Sequence, residues 1–138
     1  MPGVTELESA VLERLLEGAG PALEQLRSQL GSLEVRSREW TGVGFVTEVE
    51  VPSSHPEASE VPLKGTVGDL VADIPGLAGG VGFLVYVASG RLTALEGHTY
   101  GGPWPESVPV STLRYVDPRE RDLSGLAVDP GPSASCGG

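Results

Sequence analysis

The densest group of chemically able side chains lies in Glu96-Gly97-His98-Thr99-Tyr100-Gly101-Gly102-Pro103-Trp104-Pro105-Glu106. Glu96 and His98 are two residues apart, so on a strand they project from the same face. A carboxylate beside an imidazole favours its protonated form and selects its tautomer, an arrangement that general acid–base chemistry uses. The glycines would let a ligand approach the backbone, and Trp104 offers a ring to stack against it. Glu96, His98, Tyr100 and Trp104 are therefore the candidate ligand-binding residues, expected to converge at a strand end and the loop after it. A structural account competes with this one. A Glu-x-His pair at a strand end needs no pocket to be stable, Trp104 can fill the edge of a core, and Gly and Pro shape a turn. Ser89 and Ser107 lack the residues that surround a nucleophile elbow. No residue is assigned a catalytic role, and an enzyme or small-ligand binder centred on Glu96, His98, Tyr100 and Trp104 is the alternative to the main reading.

Other chemistries find less support. His55, His98 and Cys136 lie far apart in the chain, with no H-E-x-x-H, no paired cysteines and no calcium loop, so no metal site is expected. Asp69 and Asp73 would share one side of a strand with Val67 and Val71, which suits a half-buried edge, while a solvated charged face is the plainer reading. The glycines from Gly76 to Gly82 precede a strand, whereas a dinucleotide fingerprint follows a strand and opens a helix. They suit a loop or bulge, and no cofactor is expected. The final Gly137-Gly138 resembles the tail of ubiquitin-like modifiers and sulfur carriers. Two residues carry that second alternative, and the N-terminal helices are unlike the opening hairpin of such carriers.

Nineteen acidic residues against nine basic ones leave a formal charge of −10. Such a surface repels phosphate backbones and anionic membranes and welcomes a basic protein. The partner expected is another protein with a basic surface; neither nucleic acid nor membrane is expected, and homo-oligomerisation is left open. The same charge also serves to keep a soluble protein dispersed. One cysteine excludes an intrachain disulfide framework. Met1-Pro2-Gly3 is not the start of a charged and then apolar leader, so a cytoplasmic location is expected.

The elements that must position these residues follow from periodicity. Thr5 and Glu8 have capping-box spacing, and Leu7, Val11, Leu12, Leu15 and Leu16 form one apolar stripe. Pro21 suits a first helical position, so residues 1–31 read as two short helices or one helix kinked at Pro21. Gly31 is placed to stop the helix in a left-handed conformation. Alternation then takes over, with strands expected from Leu33 to Val35, Val43 to Val51 and Leu63 to Ile74. Val81 to Ala88 is apolar on both faces and reads as the central strand. Ser89-Gly90 reads as a two-residue hairpin turn, with a return strand from Arg91 to about His98. A last strand is expected from Val108 to Val116. Residues 52–62 read as an exposed loop, and 123–138 as a mobile Gly/Pro/Ser-rich tail.

Strands following a helical segment indicate an α+β fold: N-terminal helices on one face of a mostly antiparallel five- to six-stranded sheet. Residues 1–122 form the single domain, helical over 1–31 and sheet over 32–116. The uncovered face would present Arg36, Glu48 and Glu50. Trp40-Thr41-Gly42-Val43-Gly44-Phe45-Val46-Thr47, Gly82-Phe83-Leu84-Val85-Tyr86-Val87, Leu95-Glu96-Gly97-His98-Thr99-Tyr100 and Trp104-Pro105 resemble a group of small bacterial proteins of unknown function. The resemblance covers about residues 33–116 and implies a shared fold without a catalytic assignment. The leading expectation is a non-enzymatic domain that binds another protein, with an immunity- or inhibitor-like role.

Overall fold

The computed structural model describes residues 3–52 and 62–128. Thr5 opens the first helix, α1 (Glu6–Leu15): its hydroxyl accepts from the Glu8 amide, and the Glu8 carboxylate accepts from the Thr5 amide. This reciprocal bonding satisfies two amide donors that the helix start leaves free. The stripe beyond it buries Val11, Leu12 and Leu15. A turn through Gly18 and Gly20 separates α1 from α2 (Pro21–Arg27), whose Pro21 occupies a first-turn position. The segment is therefore two helices. Gly31 does not take a left-handed conformation; it sits in a single 3-10 turn, Leu30–Ser32.

Among the described residues seven strands follow: β1 (Glu34–Trp40), β2 (Gly44–Glu50), β3 (Leu63–Ala72), β4 (Val81–Ala88), β5 (Arg91–Thr99), β6 (Leu113–Tyr115) and β7 (Leu126–Val128). They form one antiparallel sheet in the order β1-β2-β5-β4-β3-β6, with β7 also paired to β3. Ser89 and Gly90 join β4 to β5 with φ of 52° and 77°. Positive φ at both central residues belongs to the tight hairpin turn whose twist matches paired strands. Gln29, fully buried, donates to the Gly90 carbonyl and accepts from the Leu92 amide, which ties the end of the helical segment to this hairpin.

The helices cover one face of the sheet, and α1 contacts β3 and β4. Between the layers lie Val11, Leu15, Leu16, Leu23 and Leu26 from the helices, facing Phe83, Val85, Leu92 and Leu95 from the strands. Glu8 is buried there too, and Arg38 and Thr47 donate to its carboxylate. A buried charge is tolerated when paired and hydrogen-bonded in this way. None of the described helices is long and apolar enough to cross a membrane.

Three segments differ from the periodic reading. Val108 to Val116 is not one strand: a 3-10 turn, Val110–Thr112, intervenes, closed by bonds from the Thr112 amide and hydroxyl to the Pro109 carbonyl. Only Leu113–Tyr115 pairs with β3. The segment from 123 is structured as far as it is described, because Leu123 and Leu126 pack against the core and Leu126–Val128 pair with Leu63–Gly65. Finally, Asp69 does not lie on a solvated face with Asp73. The register shifts between Val67 and Leu70 and turns the Asp69 carboxylate inward, where Arg121 binds it. Asp73, past the end of β3, stays exposed and pairs with Arg114.

Candidate functional site

Alternation along β4 and β5 assigns each candidate residue to a face. On β5, Leu92, Leu95 and Gly97 face the helices, and Glu96 and His98 face away. The register sets Gly97 between Phe45 of β2 and Phe83 of β4. A Cβ at Gly97 would collide with the Phe45 ring and come within 2.9 Å of Trp104. Trp104 therefore lies on the helix-facing side, edge-on to Phe45 and Phe83 with ring centroids 5.4 and 6.2 Å apart. Its amide donates to the Gly42 carbonyl, which anchors the loop after β5 to the β1–β2 hairpin. The expected convergence of four residues is thus a convergence of three, with Trp104 through the sheet from the rest.

On the open face, His98 stands in register with Gly44 of β2 and Gly82 of β4. Both cross-strand neighbours of the imidazole are therefore bare backbone. Neither glycine has a positive φ, so space and close approach explain them, not conformational freedom. A Cβ at Gly82 would sit 2.2 Å from the Tyr100 hydroxyl and 2.9 Å from His98 Nε2. Tyr100 and His98 meet edge to face, centroids 5.1 Å apart, over this gap, and Tyr100 is 58% exposed.

Glu96 joins the group from the next position of the same face. Its Oε2 lies 3.5 Å from His98 Nδ1. That nitrogen is shielded from solvent and has no aligned hydrogen bond, so the contact is electrostatic when the ring is protonated. The other oxygen accepts from the Tyr86 hydroxyl at 2.8 Å. This hydrogen bond to a carboxylate, helped by partial burial and the nearby charge, holds the Tyr86 phenol above its usual range. Tyr86 was not legible as a member of the group, because only the β4–β5 register brings residues 86 and 96 together. Gly44 and Gly82 did leave a signal: glycine inside a strand pattern marks close approach of backbone or ligand.

The register extends this grid. Glu39 of β1, Val46 of β2 and Glu96 of β5 form one cross-strand row, and Ser37, Glu48, Ala94 and Tyr86 form the next. Ser37 donates to Glu48, and Arg36 pairs with Glu50 at the sheet's edge. A pocket of about 240 Å³ opens beside the first row, lined by Thr41, Val43, Gly44, Val46, Glu96 and His98. The arrangement presents carboxylates around a small apolar floor. Among the described residues, no group of three or more His, Cys, Asp or Glu side chains is placed to hold a metal ion. His55, Cys136, Gly137 and Gly138 lie outside the described residues.

Comparison with known proteins adds no assignment: the chain matches no known family, no curated protein and no solved structure.

Proposed function

We propose that this protein is a non-enzymatic interaction domain that binds another protein, one with a basic surface, through the open face of its sheet. An immunity- or inhibitor-like role in a bacterial cytoplasm fits this reading. One observation carries it: the face opposite the helices sets Val46, Leu84 and Tyr86 among Glu39, Glu48 and Glu96 on four adjacent strands. Apolar and aromatic surface within a ring of one charge suits protein recognition, and a formal charge of −10 steers a cationic partner toward it.

Paired affinity captures test the reading. Wild-type protein, a Glu48→Lys/Tyr86→Ala variant of the open face and a Glu13→Lys variant of the helical side would be compared by quantitative mass spectrometry. A specific protein retained by wild type and by Glu13→Lys, and lost with the open-face variant, is the expected result. Equal retention by all three would place binding elsewhere.

The Glu96–His98 contact supports a second reading, a small-ligand or acid–base site that also involves Tyr100. An NMR titration of His98 with metabolite mixtures free of lysine and arginine separates the two: saturable shifts at both His98 and Tyr100 would mark a small-ligand site, and their absence would leave the protein-binding face standing.

A further inference from the structure

We propose that the pocket beside Val46 receives one lysine or arginine side chain of the protein partner. This occupant rests on the reading of the open face as a protein-binding surface and specifies what that surface recognises. Val46 lies between Glu39 and Glu96 in the same cross-strand row. Each carboxylate-bearing strand is one strand spacing away, so the two acids stand about 10 Å apart, measured across the sheet. A long basic side chain laid over Val46 would meet a carboxylate on either side.

Size and chemistry agree on this occupant. At about 240 Å³ the pocket is smaller than those that bury a drug-sized molecule, and it suits a single side chain. Val43 and Val46 give apolar wall and floor for the methylene stem of such a residue, which prefers apolar cover along its length with its charge at a polar end. Glu96 is held in place by the Tyr86 hydroxyl on one oxygen, so its orientation is set before any cation arrives. Gly44 lines the pocket with backbone alone, because a Cβ there would collide with the Gly97 carbonyl. Glu96 lines the pocket and Glu39 stands beyond its lining on the neighbouring strand, so an anionic side chain would meet like charge there.

The test uses acetyl-arginine methylamide and acetyl-lysine methylamide as probes, acetyl-glutamine methylamide as the uncharged control, and the full chain labelled with nitrogen-15. Basic probes should give saturable amide shifts confined to residues 41–46 and 96–98, weakened by added salt. A Glu39→Gln/Glu96→Gln variant keeps a hydrogen-bond acceptor for Tyr86 and should bind at least five-fold more weakly. Glu13→Gln, on the helical side, should bind as wild type does, and the dispersed amide spectrum of each variant establishes that it is folded. Shifts spread evenly over the acidic surface, equal shifts with the glutamine probe, or unchanged binding by the double variant would each overturn the proposal. If these probes fail while a protein partner is still captured through the open face, the occupant of the pocket falls and the interaction reading stands. If capture by that face fails as well, both fall.

Discussion

Arg121 grips Asp69 across 52 residues of sequence, with Nε and one η nitrogen donating to the two carboxylate oxygens at 2.6 and 3.0 Å. The guanidinium also lies over the Tyr115 ring, 4.3 Å from its centroid, and donates to the Leu15 carbonyl at the end of α1. One side chain thus links α1, β3, β6 and the segment leading to β7. Removing it leaves a buried carboxylate without its counter-charge. Arg121→Ala should cost toward the lower end of about 3–5 kcal/mol, since the arginine is partly exposed, and Asp69→Asn in the same chain should restore part of that. Urea denaturation of the two variants measures both effects; equal stability of single and double variants would argue against the coupling.

The segment after Asp122 contributes to the fold through Leu123, Leu126 and the pairing of β7 with β3. The Thr66 amide also donates to the Gly125 carbonyl. A chain ending at Asp122 should therefore melt several degrees below one ending at Val128, because it loses two packed leucines and a short ladder. Differential scanning calorimetry of the two truncations tests this, and coincident melting curves would mean that β7 adds nothing.

Phe83 is 1% exposed and edge-on to Trp104. Phe83→Ala should destabilise by about 3–5 kcal/mol through lost burial and the cavity left behind. A loss below about 1 kcal/mol would contradict its place in the centre of the core.

Acid should weaken the protein partly through Glu8. Burial pushes its carboxyl up, but hydrogen bonds from Arg38, Thr47 and the Thr5 amide, with the arginine's charge, bring it below the usual carboxylate value. The depressed group stabilises the fold fully above its unfolded-state pKa, and that contribution is lost as pH falls through the lower folded-state value. At pH 7, Glu8→Gln should be less stable than wild type, with the gap closing below about pH 4.5, the ordinary glutamate range. Chemical denaturation from pH 7 to pH 3 would show the two stability curves converging; parallel curves would refute the assignment.

Ser89 is the one described non-glycine residue with a positive φ. Asparagine tolerates that conformation better and forms the favoured Asn-Gly hairpin turn with Gly90. Ser89→Asn should add about 0.5 kcal/mol, read as a higher denaturation midpoint at unchanged slope.

Local chemistry in the chain was enough to specify much of this fold. The Thr5–Glu8 box, Pro21 at a helix start, the Ser89-Gly90 turn and the apolar run Val81–Ala88 each act over a few residues, where capping, φ preference and side-chain period determine the outcome. The pairing of Glu96 with His98 on one face was legible for the same reason. What only the tertiary structure decided depends on register and on distant partners. Trp104 follows a loop whose direction is set by the hydrogen bond from its amide to the Gly42 carbonyl, and that carries the ring to the helix-facing side, away from His98. Tyr86 reaches Glu96, and Glu39 and Glu96 flank Val46, only because three strand pairings adopt a particular alignment. Asp69 turned inward through a shift in the β3–β4 register, and Leu126–Val128 became a strand because β3 offered an edge. In each case the deciding energy comes from contacts between residues remote in the chain, which local periodicity does not encode.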